Sequence, residues 1–374
     1  MPRTWEVTGV FEPSPKGAGL LRSLDHDLRS VPDDPYVPPE LIKALHLRPG
    51  CLVHGLVQDQ DKRAPRLFKV QSIQGLSPVA WKDLPPMDQG VPIDPEERLT
   101  LEHPDCPVAM RILDLFVPIG KGQRSLIVAP PRSGKTVLLQ QLAKAIHLNH
   151  PGVTELMLLV DERPEEVTDM RRTVHGHVIA SSSDHSTDNH VRVAELMTEY
   201  ARREVEAGKD VVLFLDSLTR LGRAFNKETR NSGRILSGGI DSRALERPKR
   251  IFGAARKVQG GGSLTIIATV LVGTGSRMDD VIFQEFKGTG NMELVLDRKL
   301  AEKRIWPAID LGESGTRKEE KLLDESELRA MSRLRTALMS RPSGAWMPDL
   351  ISKVSGSRGN KDLVAQLNAR IAEL

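Results

Sequence analysis

Two rhythms of apolar and polar positions divide this chain. Over residues 1–75 apolar side chains alternate with polar ones in short runs, at Trp5–Phe11, Leu52–Val57 and Leu67–Ile73. A period of two marks a strand with one buried face. Turn-rich stretches at Pro13–Gly19 and Pro32–Pro39 interrupt the runs, and Pro39–Leu47 has the spacing of a short helix. About five short strands in a segment of this length predict a small barrel of the OB type. From Ala109 onward the rhythm changes. Near-continuous apolar runs at Ser125–Val128, Leu156–Val160, Val211–Leu215 and Leu264–Leu271 alternate with helical stretches at Thr136–His147, Glu165–Val174 and Arg192–Glu206. Strands apolar on both faces and separated by helices predict an α/β domain over 109–374, its parallel sheet covered on both sides. Glu325–Leu338 and Lys361–Ala372 read as C-terminal helices. Between the two regions, residues 76–108 hold seven prolines. Proline supplies no backbone donor, so this segment reads as an extended linker.

Composition narrows the class. The 374 residues are 39% hydrophobic and 28% charged, the make-up of a globular chain. No run approaches the ~20 apolar residues that span a bilayer, and Met1–Val10 lacks the apolar core of a signal peptide. Cys51 and Cys106 lie far apart and match no metal or disulfide spacing, which fits a reducing cytoplasm. Residues 1–108 hold 12 Lys/Arg against 16 Asp/Glu; the remainder holds 41 against 34. A polyanion would therefore find the C-terminal part more favourable, although an excess this small is also ordinary surface.

Candidate chemistry begins at Ala129-Pro130-Pro131-Arg132-Ser133-Gly134-Lys135-Thr136. This is the P-loop pattern with Ala129 in place of the first glycine, and it has the required strand before it and helix after it. Backbone N–H groups of Pro131 through Val137, proline excepted, face phosphates at such a helix start. Lys135 supplies a point charge to the β- and γ-phosphates of ATP, and the Thr136 hydroxyl ligates Mg2+. The buried run Val211–Leu215 ends in Asp216, the Walker-B position for a second Mg2+ ligand; capping of the following helix is the alternative. Leu158–Val160 leads to Asp161-Glu162-Arg163 at the same sheet edge. Glu162 is the candidate base for the attacking water, and a salt bridge to Arg163 or another arginine is the competing reading.

Longer runs around these positions carry a family resemblance. Gly120-Lys121-Gly122-Gln123-Arg124 with the Ala-Pro-Pro form of the P-loop resembles transcription termination factor Rho. So do Asp161–Thr168, Leu215-Asp216-Ser217-Leu218-Thr219-Arg220, Arg247–Arg250, Gly253–Arg256, Glu285–Asn291, Ala301–Arg304 and Ser314–Glu320. The match is dense over about residues 110–322 and sets this chain apart from other RecA-like ATPases. The resemblance implies a homohexameric ring with ATP between subunits, 5′→3′ movement along single-stranded RNA, and transcript release from RNA polymerase, with elongation factors as possible further partners. It implies no membrane. By the same resemblance, Lys135, Thr136, Asp216 and Glu162 take the roles above. Arg317 is an arginine finger for the neighbouring subunit's ATP, Arg304 lies near the same phosphates, and Arg163 and Arg220 contact the nucleotide or its charge network. Trp306 takes the position of an aromatic that stacks on adenine. A surface ion pair for Arg317 and a buried core position for Trp306 are the alternatives.

Two Gly-rich loops, Ser232–Gly239 with Arg234, Ile235, Ser237 and Gly238, and Gly273–Asp279 with Arg277, are implied to hold RNA in the ring's pore. The N-terminal module departs from the family. Its Gly-Phe-Gly-Phe-Leu-Arg stretch reads Gly17-Ala18-Gly19-Leu20-Leu21-Arg22 here. Both stacking aromatics are absent, leaving Arg22 and Tyr36 as candidate contacts, and each lost stack is worth roughly 1–3 kcal/mol per base. A weakened loading site is therefore expected, with pore binding kept. Three readings follow: a Rho-type terminator, a diverged RNA-stimulated ATPase that does not terminate, and a ring-forming scaffold without turnover.

Overall fold

A computed structural model describes residues 3–60, 63–229, 237–339 and 343–372. The N-terminal strands are β1 (Thr4–Pro13), β2 (Gly19–Arg22), β3 (Tyr36–Val37), β4 (Leu52–Gln60) and β5 (Arg63–Ile73), with a short helix α1 (Pro39–Leu45) before β4. They close in the order β1-β2-β3-β5-β4. Alternation delivers Val53 and Val57 of β4 inward, where they pack on Phe11, Leu21 and Leu67.

The proline-rich segment is not the free linker its composition suggests. It forms α2 (Pro78–Lys82) and β6 (Pro92–Ile93), buries Trp81 beneath the Arg48 guanidinium, and inserts Leu99 and Leu101 into the α/β core. Proline forbids regular ladders but not burial of the apolar side chains between prolines. The barrel is likewise docked. Leu28 is fully buried among α/β-domain residues, the Asp27 carboxylate accepts the Ala180 N–H at 3.0 Å, and Gln74 donates to Glu204 at 2.8 Å.

The α/β domain runs α3 (Val108–Phe116), β7 (Arg124–Ala129), α4 (Lys135–Asn149), β8 (Thr154–Val160), α5 (Pro164–Thr173), β9 (His177–Ser181), α6 (Thr187–Glu206), β10 (Asp210–Asp216) and α7 (Leu218–Glu228). It continues with α8 (Glu246–Phe252), β11 (Arg256–Val258), β12 (Ser263–Leu271), α9 (Arg277–Phe286), β13 (Met292–Leu296), α10 (Arg298–Glu302) and β14 (Ile309–Thr316). The sheet order is β14-β13-β7-β12-β10-β8-β9. From β13 to β9 every pairing is parallel, but β14 returns antiparallel to β13, and β11 pairs antiparallel with β12 and with β6. The sheet is therefore mixed at its margins, where short excursions rather than full crossover helices set strand direction. Three helices, α11 (Glu325–Met339), α12 (Ser343–Gly356) and α13 (Asn360–Ala372), close the fold. Arg111 of α3 donates to Val354 O, Ser357 O and Ser357 Oγ at the end of α12, satisfying carbonyls that a helix terminus leaves open.

Among the described residues no helix is long and apolar enough to cross a membrane. The carboxyl ends of β7, β8 and β10 open on one side of the sheet, the side on which open α/β sheets place their ligands.

Candidate active site

The turn from β7 into α4 sets the first half of the site. Arg132 and Gly134 both have positive φ, at 63° and 86°. Gly134 is required twice over: its conformation disfavours a side chain, and a Cβ there would lie 2.6 Å from the Trp306 ring. The Ser133 hydroxyl is buried and donates to Pro130 O at 2.7 Å, so it fixes the loop instead of reaching a ligand. The loop thus ends in the free N–H groups of α4, a favourable anion site.

Three charged groups meet beside it. Lys135 Nζ lies 2.5 and 2.6 Å from the two Asp216 oxygens and 3.5 Å from Glu162. Asp216 also accepts from Thr269 Oγ1 at 2.7 Å. It does not cap α7: that role falls to Ser217, whose hydroxyl accepts the Arg220 N–H. Burial alone would lower the Lys135 pKa; the charges of Asp216 and Glu162 more than offset it and raise it. Glu162 is 2% exposed and pairs with Arg220 at 3.1 Å, not with Arg163. Neither of its buried oxygens accepts a hydrogen bond of good geometry. Burial, then the nearby Asp216 charge, push its pKa up to about 7, against the pull of Lys135 and Arg220.

The Asp216 carboxylate at the end of β10 and the Thr136 hydroxyl in the first turn of α4 are hard oxygen donors, of the kind that suit Mg2+ completing its shell with phosphate and water. Among the described residues no group of three His, Cys, Asp or Glu could hold a metal by itself.

A cavity of about 360 Å³ adjoins the loop, lined by Val108, Val137, Leu138, Gln141, Trp306 and Ile309 among others. Trp306 is 44% exposed at its wall, so it is not a core tryptophan. Arg304 lies two residues earlier, exposed and at φ 60°; Arg163 is exposed at the start of α5.

Arg317 sits at the opposite edge of the sheet. Its N–H donates to Asn291 O, and the Asn291 side chain in turn accepts from the N–H of Arg124, the first residue of β7. The strand then runs five residues to the P-loop, roughly 17 Å at 3.3 Å each. The guanidinium is exposed and, among the described residues, has no carboxylate partner; the neighbouring Lys318 pairs with Asp94 instead.

Comparison with known proteins bears on what this geometry is for. Residues 7–79 match the Rho termination factor, RNA-binding domain, and residues 109–316 match the ATP synthase alpha/beta family, nucleotide-binding domain. Transcription termination factor Rho of Haemophilus influenzae is 50% identical over 359 residues, covering 95% of this chain and 86% of the relative. Rho of Cereibacter sphaeroides is 49% identical over 365 residues, covering 96% and 86%. The chain belongs to the transcription termination factor Rho family. A solved ATPase of a type III secretion system shares the fold, with a TM-score of 0.62 at 22% identity over 83% of this chain and 93% of that one.

The remaining Rho-family positions fall in two places. Of the first Gly-rich loop, Arg234 and Ile235 lie outside the described residues, while Ser237 and Gly238 form a short turn. That turn abuts the second loop: a Cβ on Gly238 would lie 2.8 Å from Arg277 O. Beneath them, Arg223 makes a two-pronged ion pair with the buried Asp279 at 2.7 and 2.6 Å, and Thr274 Oγ1 donates to the same carboxylate. Sequence reading missed Arg223. Its spacing of three from Arg220 on α7 was the available signal, since residues three apart share a helix face.

In the barrel, Arg22, a candidate RNA contact, is committed to internal pairs. It is buried and paired with Glu12 and Asp34, and it donates to Ser30 at 2.9 Å. Leu21 is buried beneath it in the barrel core. Tyr36 is half-buried on β3, directly opposite Leu20.

Proposed function

We propose that this Rho-family chain is an ATP-driven RNA translocase and helicase that terminates transcription, binding nascent RNA and releasing it from RNA polymerase. The observation that carries the reading is the meeting of Lys135, Asp216 and Glu162 at three strand ends in a chain half identical to Rho proteins along nearly all its length.

The roles follow from chemistry. The α4 N–H groups and Lys135 take the phosphates, Trp306 stacks on the base, and Thr136 and Asp216 hold Mg2+, which when bound neutralises charge on the phosphates. Glu162, ionised, accepts a proton from the water that attacks the γ-phosphorus as the bond to the ADP oxygen breaks. Arg317 is too far from its own P-loop to serve it, so it acts on the nucleotide of an adjoining copy, which supports a homohexameric ring. Arg234, Arg277 and their loop neighbours bind single-stranded RNA along that ring's axis.

The deciding experiment measures ATP hydrolysis with and without homopolymeric RNA, then transcript release from a stalled polymerase. RNA-independent hydrolysis would sink the translocase reading. A second reading, an RNA-stimulated ATPase without termination, is favoured by one feature: Ala18 and Leu20 stand where the barrel's stacking aromatics belong. RNA-stimulated turnover without transcript release would select it.

A further inference from the structure

Glu162 is aimed by the turn at Asp161, and that turn is held from outside. Asp161 has φ 56°, a left-handed conformation that a residue with a Cβ keeps only when its surroundings impose it. Its N–H donates to Ser181 O at 2.7 Å, its carbonyl accepts from Arg220, and the Glu162 carbonyl accepts the Ser183 N–H at 2.9 Å. The Asp161 carboxylate faces Arg220, whose Nη1 lies 3.8 Å from Oδ2, and His190, buried on α6, whose Nε2 lies 4.0 Å from Oδ1.

His190 touches none of the nucleotide-binding groups, yet it is firmly oriented. Its Nδ1 is 2.7 Å from Ser181 Oγ, and Asn189 Nδ2 donates to the same hydroxyl at 2.8 Å. Contacts to this hydroxyl from both Asn189 and Nδ1 fix the plane of the ring and turn Nε2 toward Asp161. The contacts continue away from the site. Asn189 Oδ1 accepts from Arg192 at 2.9 Å, and the same guanidinium donates to Leu28 O at 2.9 Å and to both Glu12 oxygens at 3.2 Å. Leu28 and Glu12 belong to the barrel, and Glu12 also holds Arg22.

We propose that His190 is a positioning residue for Glu162, acting through the Asp161 turn, and that Ser181, Asn189 and Arg192 anchor it to the barrel. The proposal rests on Glu162 being the catalytic base. Displacement of the barrel against α6 then reaches the catalytic carboxylate through side chains that bind neither ligand.

The test measures steady-state ATP hydrolysis by the full chain at saturating homopolymeric RNA. His190→Asn keeps an amide beside Ser181 and removes the group at Asp161; His190→Gln keeps a donor near the Nε2 position. His190→Asn lowers kcat about tenfold with the KM for ATP held within about twofold, and His190→Gln regains most of the loss. Arg192→Gln lowers kcat about threefold, and adding Glu12→Gln to it lowers kcat no further. If His190→Asn fails to fold, Ser181→Ala, which frees the ring to rotate, carries the same expected kcat loss. Parental kcat in a folded variant overturns the proposal. Equal losses in both His190 variants overturn it too, because a merely structural role does not distinguish them. Additive losses at Glu12 and Arg192 overturn the anchoring to the barrel. Glu162→Gln in the same assay separates the underlying reading: turnover retained there removes Glu162 as the base. Turnover abolished there, with His190→Asn at the parental rate, removes the positioning role alone.

Discussion

At the strand ends of the α/β domain, Glu162 is buried with oxygens that accept no hydrogen bond, and at the far edge Arg317 projects without a carboxylate partner among the described residues. In the barrel, by contrast, Arg22 is buried between Glu12 and Asp34 and capped by Ser30. Both regions carry family-motif charges, yet only the first keeps carboxylate oxygens without a hydrogen bond, at Glu162, and a cation without a carboxylate among the described residues, at Arg317. Burying a charge is costly unless it is paired and hydrogen-bonded. A charge already paired internally acts as structure, whereas one left open in a preformed setting is completed by a ligand or a neighbouring copy.

The contrast is broken most severely at Arg317. Arg317→Ala lowers kcat by roughly 10³–10⁵ while nucleotide affinity stays near parental, as read by single-turnover hydrolysis and equilibrium binding; turnover at the parental rate would remove the trans role. Lys135→Ala costs about 10²–10³ in kcat and leaves the assembly intact by sedimentation. Arg22→Ala behaves oppositely to both. It costs about 3 kcal/mol of stability in denaturant unfolding because the buried Asp34 carboxylate loses its cation. It changes ATP turnover of the folded protein little, and a large loss of RNA affinity without loss of stability would reverse the assignment. Trp306→Ala weakens ATP binding by about 1–2 kcal/mol, near tenfold in Kd, with kcat at saturation unchanged.

The pH profile gives the smallest effect and the finest test. With its pKa raised to about 7, Glu162 is protonated below that pH, and a protonated carboxyl cannot accept a proton. The value of kcat/KM therefore falls about tenfold per pH unit below 7 and is level above it. A profile flat from pH 6 upward would mean that the carboxylate is not perturbed, or is not the base.

Much of this was legible in sequence where chemistry sits at the end of an apolar run. Lys135, Asp216 and Glu162 each follow a strand whose residues are almost all buried, and continuous apolar runs announce such strands. The margins were not legible. β14 reads Ile-Asp-Leu-Gly-Glu-Ser-Gly-Thr, poor in β-branched residues, and is held in place by its pairing with β13. The Pro-rich segment concealed buried Trp81, Leu99 and Leu101 because proline signals irregular backbone and says nothing about burial. Arg22 was found as a motif position, but its partners stand 10 and 12 residues away, on other strands and loops. The Arg223–Asp279 pair spans 56 residues and exists only once α7 and α9 pack together.

The strand β7 joins two chemistries with a single rod of hydrogen-bonded backbone. One end leads into the phosphate loop; the other is stapled through Asn291 to the segment bearing Arg317. In the proposed ring each protomer is thus a stiff strut between two successive seams.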